Sequence, residues 1–316
     1  MIAKYNSQED GVYFDRNLTD ILKLLCCIMV ALHHYSQYVL SNDISHNLIY
    51  QIFSTQGGYL GVGIFFFLSG FGLIKSDLHN HLSFLPYLKK RLIKVYLPVL
   101  LVSVIWLPIK CYAFGEPISI FKVIGLIWYW HDGVLWFVRT IIVLYLIFYL
   151  YSYTRLKTKG LPQRMIVCLI YFLISLTYAL VMKSNYTISI PLFFFGVAVG
   201  EFESLRKVFK SWYIQGCLFT FVAFLCYLGR HDTLAIHGLF NYFVLFAMLW
   251  VCSMWKIACP STPKYISSTS FDVYLVHNKV LIISKNLLTV VPVWEFVVVT
   301  FIATLLFYNL RTFLKI

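Results

Sequence analysis

Charged residues are scarce in this sequence, and acidic residues are the scarcest of them. Only 12% of the 316 residues are charged, against about 25% in a typical soluble domain. The 13 acidic side chains are outnumbered by 26 basic ones, while 60% of all residues are hydrophobic. So few charges cannot cover a water-facing globule of this size. The composition excludes a disordered protein and a nucleic-acid-binding domain, and it favours a polytopic membrane protein.

Paired cysteine motifs are also absent. The eight cysteines form no CxxC pair and no His/Cys set with zinc spacing. Most of them lie within apolar runs, which predicts small buried residues and no metal site. The first apolar run begins near Leu18 and is not followed by a small-residue cleavage pattern, so we predict no cleavable signal peptide. These absences exclude a secreted disulfide scaffold.

Long apolar segments fill most of the chain, and a helix needs about 20 such residues to cross a bilayer. We predict an all-α polytopic membrane protein with about ten transmembrane helices. These helices form a single membrane-embedded domain over residues 1–316, with no soluble domain. The predicted spans are 18–40, 57–74, 92–112, 134–152, 165–182, 186–201, 212–229, 234–255, 272–290 and 293–314. A shorter apolar stretch, Phe121 to Trp130, is typical of an interfacial or re-entrant helix.

Basic residues are distributed unevenly over the predicted connections. Eighteen of the 26 lie on the side that carries both chain ends, five lie on the other side, and three lie within spans. Cytoplasmic loops of membrane proteins are rich in Lys and Arg. Both termini are therefore predicted to be cytoplasmic. The alternation holds at every connection, which supports the count of ten helices.

The first predicted span carries a polar stripe along an apolar helix. At about 100° per residue, five residues fall within about 60° of one another: Asp20, Lys23, Cys27, His34 and Tyr38. His33 points about 100° away from His34. A stripe of this length predicts a cavity or a bundle interior rather than lipid. The alternative is a Lys23 that extends to the headgroups and a His34 bonded to a neighbouring helix.

Other polar residues fall in or beside later spans. Arg139 lies in the fourth span, and His277 and Lys279 lie in the ninth. Asp272 is predicted to begin the ninth helix, where a carboxylate suits the positive end of the helix dipole. Glu201 follows the sixth span and is interpreted as part of a solvated helix end.

Two segments around the second and third spans have two interpretations each. The second span contains Gly57, Gly61, Gly63, Ser69, Gly70 and Gly72. These small residues indicate either close helix packing or bare backbone that lines a narrow channel for an acyl group. The next segment carries Lys89, Lys90, Arg91 and Lys94. This basic cluster either sets topology and binds anionic lipid or holds a polyanionic cofactor.

Six motifs in a fixed order carry a family resemblance. They are LTDILKLLCCIMVALHH, LGVGIFFFLSGF, FLPYLKKRLIKVYLP, LWFVRTIIVLY, PLFFFGVAVG and STSFDVYLVHNKV. The chain resembles the integral-membrane acyltransferase family 3, whose members O-acylate sugars and other cell-surface molecules. One position departs from the family pattern, since Lys23 stands where the family has Arg. Lysine keeps the charge but loses the bidentate geometry.

The resemblance implies transfer of an acyl group, acetyl from acetyl-CoA, to a hydroxyl of a cell-surface or lipid-linked sugar. His34 is the candidate general base, with Lys23, Asp20 and Arg139 as further catalytic candidates. The candidate cofactor-binding residues are Lys90, Arg91, Lys94, Ser69 and Gly70, and the candidate substrate-binding residues are Trp136, Tyr274 and His277. The expected partners are acyl-CoA, a glycan or lipid-linked acceptor and membrane lipid, without metal or nucleic acid. The expected location is the bacterial cytoplasmic membrane.

Two other classes of protein compete with this interpretation. Intramembrane Lys, Arg and His residues also suit a transporter of an anionic or sugar-linked substrate. Against a transporter, the sequence shows no inverted repeat and no paired broken helices. A non-catalytic membrane scaffold leaves the aligned Asp20, Lys23 and His34 unexplained.

Overall fold

A computed structural model of the protein describes residues 16–128, 136–182, 189–208, 242–248 and 264–316, together with positions 213, 216, 217 and 220. Every regular element in these ranges is helical, so the all-α prediction is confirmed. The helices, numbered in chain order, are α1 (Arg16–Ser41), α2 (Leu48–Ile52), α3 (Gly58–His79), α4 (Phe84–Arg91), α5 (Leu97–Ala113), α6 (Ile120–Trp128), α7 (Trp136–Leu156), α8 (Leu161–Val181), α9 (Leu192–Glu201), α10 (Glu203–Val208), α11 (Lys264–Leu287) and α12 (Val293–Phe313).

Two π-helical turns interrupt the helices. Phe53–Gly57 joins α2 to α3, and Leu92–Tyr96 joins α4 to α5. The second turn lies just before Pro98, which has no N–H to donate to the carbonyl of Lys94 four residues earlier. The wider π turn is a common accommodation of such a break. It makes Phe84–Ala113 one continuous helical segment.

Within the described residues, six helical segments are long and apolar enough to cross a membrane. They are Asn17–Ser41, Leu48–His79, Phe84–Ala113, Trp136–Leu156, Leu161–Val181 and Val293–Phe313. Each overlaps a predicted span. The predicted span 186–201 corresponds to the shorter helix α9, and 272–290 lies largely within the more polar α11. The predicted spans 212–229 and 234–255 fall mostly outside the described residues.

The helices α3 and α9 cross with their backbones in contact. A methyl group added at Gly70 would lie 1.9 Å from the carbonyl oxygen of Phe193, and one at Gly196 would lie 2.1 Å from that of Phe67. Only glycine permits this approach. Around the crossing, Phe66, Phe67 and Leu68 of α3 are fully buried, as are Leu192, Phe193 and Phe194. This crossing is the centre of the hydrophobic core.

Helix α11 is more polar than the helices that face lipid. Other helices of the protein surround it, so its polar side chains do not contact lipid. It packs against α1, α5 and α12, and its Asp272 is 1% exposed. Asp272 accepts a hydrogen bond at 3.0 Å from the guanidinium of Arg311 on α12. The prediction that Asp272 begins the helix was wrong, since α11 begins at Lys264, eight residues earlier. Its charge is balanced by an ion pair with a neighbouring helix rather than by the helix dipole.

A buried network of ionisable residues ties α3, α7 and α9 together. Arg155 on α7 lies 2.8 Å from Asp77 on α3 and 3.7 Å from Glu201 on α9. Glu201 also accepts a hydrogen bond from Tyr151. The Glu201 side chain is only 3% exposed. Its interpretation as a solvated helix end was therefore wrong.

The described cysteines are free thiols. Cys26, Cys27, Cys111 and Cys168 are buried, as predicted from their apolar surroundings, whereas Cys217 is exposed. The remaining three cysteines lie outside the described residues.

Candidate active site

A cavity of about 340 Å³ opens between α1, α3, α7, α11 and the segment that joins α4 to α5. One part of its wall is basic, with Lys23, Lys90, Arg91 and Lys94. Four residues of α3, Phe65, Ser69, Gly72 and Ser76, form another part. Their spacing of four, three and four residues places them on one face of the helix. From Phe65 to Ser76 this face extends about 16 Å at 1.5 Å per residue. The cavity is therefore elongated along α3.

The cavity brings together most of the predicted cofactor-binding residues. Ser69, Lys90, Arg91 and Lys94 line it, and Lys23 joins them from α1. Gly70 does not, because it lies on the side of α3 that packs against α9. The glycine-rich helix α3 thus combines the two interpretations of its sequence, close helix packing and bare backbone along a channel. Gly70 permits close helix packing, while Gly72 lies at the cavity with no atom within 4 Å of its notional methyl group.

Arg91 is held by aromatic rings at the cavity wall. Its guanidinium carbon lies 5.4 Å from the ring centroid of Tyr87 and 5.6 Å from that of Tyr145. Tyr87 is itself fixed, since its hydroxyl donates to the carbonyl oxygen of Tyr145 at 2.9 Å. Among the described residues, none accepts a hydrogen bond from the buried Nε of Arg91. A guanidinium fixed in this way at the cavity wall suits an anionic group entering the cavity.

Three histidines gather at the junction of α1 and α11. The rings of His34 and His277 are stacked, with centroids 5.4 Å apart and an interplanar angle of 23°. His33 packs edge-on against His34 at 5.1 Å. His277 is fully buried, whereas His34 is half-buried. His34 is eleven residues beyond Lys23 on α1, so the histidines lie about 16 Å along the helix from the basic wall.

Hydrogen bonds fix the tautomers of two of these histidines. His33 Nδ1 lies 2.9 Å from the carbonyl oxygen of Phe53, and His277 Nδ1 lies 3.1 Å from that of Val273. A carbonyl oxygen only accepts, so each Nδ1 carries the proton and each Nε2 has a lone pair. Both Nε2 atoms are buried and have no hydrogen-bond partner among the described residues. These two rings are thus held in one orientation each, with Nε2 inside the helix bundle.

The other predicted site residues lie around these two features. Tyr274 packs beside one of the histidines, with its ring centroid 5.9 Å from that of His277. Trp136 is half-buried against Phe66. Arg139 lies on an exposed side of α7, and the structure brings it to neither the cavity wall nor the histidines. Asp20 is half-buried, one turn before Lys23.

The sequence analysis missed several residues that line the cavity or hold Arg91 at its wall. Tyr87 and Tyr145, which hold Arg91, lie in FLPYLKKRLIKVYLP and LWFVRTIIVLY, but in a chain with 19% aromatic residues neither tyrosine was singled out within its motif. Ser270 and Phe271 line the cavity beside Phe137. Ser270 and Phe271 belong to the motif STSFDVYLVHNKV, and Phe137 belongs to LWFVRTIIVLY. Membership in these two family motifs was the signal in the sequence that could have identified them as site residues.

The fold and the site define an all-helical integral membrane protein with a basic, elongated cavity and a histidine cluster beyond it. The chain belongs to acyltransferase family 3, whose sequence model, described as an acyltransferase domain, matches residues 18–311. This match confirms the resemblance found in the motifs. Comparisons with curated proteins and with solved structures gave no match. Membership supports acyl transfer as the activity.

Proposed function

We propose that the protein transfers an acetyl group from acetyl-CoA to a hydroxyl of a cell-surface or lipid-linked sugar. The observation that carries the proposal is the basic, elongated cavity that leads from Lys23, Arg91 and Lys94 toward the histidine cluster. Coenzyme A has the matching form, with phosphates at one end and a long thin arm that ends in the thioester. Family membership supports acyl transfer, and the cavity supports this donor.

The phosphates of the donor bind at the basic wall. Arg91 offers a guanidinium held between two tyrosine rings, and Lys90, Lys94 and Lys23 add point charges around it. The pantetheine arm then follows the face of α3 formed by Ser69 and Gly72. Phosphate contacts with basic side chains are charge-assisted and therefore stronger than neutral hydrogen bonds. In this position Lys23 acts as a cation, which accounts for a lysine at the position of the family arginine.

His34 is the general base of the proposed reaction. A sugar hydroxyl is a weak nucleophile at neutral pH, and removal of its proton by an imidazole makes it competent to attack. The hydroxyl oxygen bonds to the thioester carbonyl carbon, His34 takes the proton, and the carbon–sulfur bond breaks. The coenzyme A thiolate leaves and takes up the proton. The stacked His277 holds the His34 ring in position.

The proposed arrangement in the membrane has ten transmembrane helices, both termini in the cytoplasm and the bacterial cytoplasmic membrane as its location. The excess of basic residues on the side of both termini supports this orientation. It also puts the basic wall of the cavity on the side where acetyl-CoA is made. The acceptor then meets the acetyl group near His34, deeper in the bundle.

The deciding experiment supplies purified protein with labelled acetyl-CoA and candidate lipid-linked glycans. Mass spectrometry should find one acetyl group added to a glycan, in amounts that depend on enzyme and on acetyl-CoA. The matched control is the His34→Ala protein, which should acetylate the glycan about 10²–10⁴-fold more slowly. Binding of labelled acetyl-CoA without transfer to any hydroxyl acceptor would contradict the proposed reaction.

A further inference from the structure

A second, much smaller space adjoins the basic cavity. Its volume is about 10 Å³, and it shares Phe65 and Phe137 with the cavity wall. Its other lining residues include Cys27 and Val30 of α1, Gly61 of α3 and Tyr274 of α11. The space therefore continues the cavity from Phe65 toward the start of α3, away from the basic residues.

The lining of this space is apolar and its size is that of one small group. A space of about 10 Å³ on this measure holds roughly one water-sized group. Hydrocarbon and thiol surfaces dominate the lining, so water gains few hydrogen bonds there, whereas a methyl group gains favourable contacts. The space suits the terminus of a short acyl chain.

The space lies between the basic cavity and the histidines. Val30 is one helical turn before His34 on α1, so the two side chains lie on neighbouring positions of one face. Tyr274, on the opposite wall, has its ring centroid 5.9 Å from that of His277. A group held here is therefore adjacent to the stacked pair of His34 and His277.

The walls of the space have little freedom to move apart. A methyl group at Gly61 would lie 2.7 Å from the carbonyl oxygen of Cys26 and 2.8 Å from Val30, so α1 and α3 are in close contact there. The ring of Phe137 packs at 5.1 Å against Phe65 and at 5.3 Å against Tyr274. Close-packed interiors respond to even one additional methylene group.

We propose that this space is the acyl pocket, and that Cys27 and Val30 limit the donor to acetyl. This inference rests on the proposed function, because it assigns the acyl end of the donor whose phosphates occupy the basic wall. Acetyl places one methyl group in the space, whereas propionyl and butyryl must place further carbons against Val30 and Cys27. Chain-length selection is thus a consequence of the contact between α1 and α3.

Equilibrium binding of CoA, acetyl-CoA, propionyl-CoA and butyryl-CoA to the purified protein tests the pocket. A hydrophobic pocket discriminates one methylene by roughly 10-fold or more, so butyryl-CoA should bind at least about 10-fold more weakly than acetyl-CoA. Val30→Ala removes two methyl groups from the wall. It should strengthen butyryl-CoA binding about 10-fold and change acetyl-CoA binding much less.

Val99→Ala is the matched control, because it makes the same change at a fully buried position of α5 that lines neither space. It should leave the order of affinities unchanged. Cys27→Val is the complementary variant, since it adds volume to the same wall. It should weaken acetyl-CoA binding and leave binding of CoA, which has no acyl group, as in the wild type. Cys27→Val also keeps the test valid should Val30→Ala fail to fold.

The outcomes separate the two proposals. If CoA and all acyl-CoAs bind equally to the wild type and to both pocket variants, the acyl pocket is overturned while the proposed donor stands. If none of the four binds to folded wild-type protein, the proposed donor is overturned and the pocket with it. An equal shift in Val99→Ala and Val30→Ala would also overturn the pocket, because the effect would then come from packing in general.

Discussion

At the scale of single residues, the two adjacent histidines of α1 have different surroundings. His33 is 2% exposed and is fixed by its hydrogen bond to the Phe53 carbonyl. His34 is half-buried and stacks on His277. A general base contributes typically about 10²–10⁴-fold to a rate. We therefore expect His34→Ala to lower acetyl transfer by about that factor, measured with labelled acetyl-CoA, while acetyl-CoA binding is retained.

His33→Ala is the control for His34→Ala. It leaves the Phe53 carbonyl without its side-chain donor, which costs about 1–3 kcal/mol if the group stays buried and unpaired. We expect less folded protein, with transfer per folded molecule much closer to the wild type. Full transfer activity in His34→Ala would remove this residue from the mechanism. Equal losses of folded protein in the two variants would instead indicate a structural pair.

Two glycines of α3 make a matched pair for a stability test. Gly70→Ala drives a methyl group into the Phe193 carbonyl, and overpacking of this kind costs about 1–3 kcal/mol or more. Gly72→Ala meets nothing within 4 Å, and alanine is favoured over glycine in a helix by about 0.5–1 kcal/mol. Thermal unfolding in detergent should show a lower midpoint for Gly70→Ala alone. Equal midpoints would contradict the close crossing of α3 and α9.

At the scale of helices, the ion pairs of Arg155 join three elements. Arg155 contacts Asp77 of α3 and Glu201 of α9, and all three side chains are buried. Removal of one partner from a buried ion pair costs about 3–5 kcal/mol, because the remaining charge is left without compensation. Arg155→Ala should therefore lower the thermal midpoint strongly. Lys157→Ala, two residues later on the exposed end of the same segment, should not.

A simultaneous change of the partners refines this test. In Arg155→Met with Asp77→Asn and Glu201→Gln, no uncompensated charge remains, so part of the lost stability should return. A triple variant as unstable as Arg155→Ala would contradict this account, because Met keeps most of the packing of the arginine stem and no unpaired charge of the network would be left.

The helices themselves were predictable because the bilayer sets their length. Apolar runs alone predicted α1, α7, α8 and α12 to within a few residues. Charged partners were not predictable in this way. Asp272 and Glu201 were assigned to helix ends from local sequence, whereas their partners, Arg311 and Arg155, lie 39 and 46 positions away in the chain. Hydropathy reports the contact of a residue with lipid or water and carries no information on which helix lies opposite.

In the candidate site, too, features of a single helix were predictable and contacts between distant helices were not. The stripe of Lys23 and His34 followed from helical periodicity, and the basic cluster followed from composition. Which side of α3 faces the cavity did not, since Ser69 lines it and its neighbour Gly70 packs on α9. That choice depends on the position of α9, which is more than a hundred residues later in the sequence.

At the scale of the whole molecule, the basic wall gives the cavity its polarity. Arg91→Ala combined with Lys94→Ala should weaken CoA binding, measured at low and at physiological salt, because charge attraction is screened as salt rises. The difference between wild type and variant should therefore shrink at higher salt. Lys157→Ala with Lys159→Ala removes the same charge outside the cavity and should leave affinity unchanged. Unchanged affinity in the Arg91 and Lys94 variant would mean that the cluster serves orientation only.

The orientation of the whole chain decides whether that wall can meet acetyl-CoA at all. The split of 18 basic residues against five predicts both termini on the cytoplasmic side. A reporter fused after Ile316 should thus be cytoplasmic, and one inserted after Asp43, an exposed position between α1 and α2, should be extracytoplasmic. The measurement uses two kinds of enzymatic reporter, one active only in the cytoplasm and one active only outside it, and each site is tested with both.

Both sites on the same side would contradict the ten-span arrangement. An extracytoplasmic C-terminus together with a cytoplasmic Asp43 would invert the molecule and place Arg91 and Lys94 on the side away from the cytoplasmic donor.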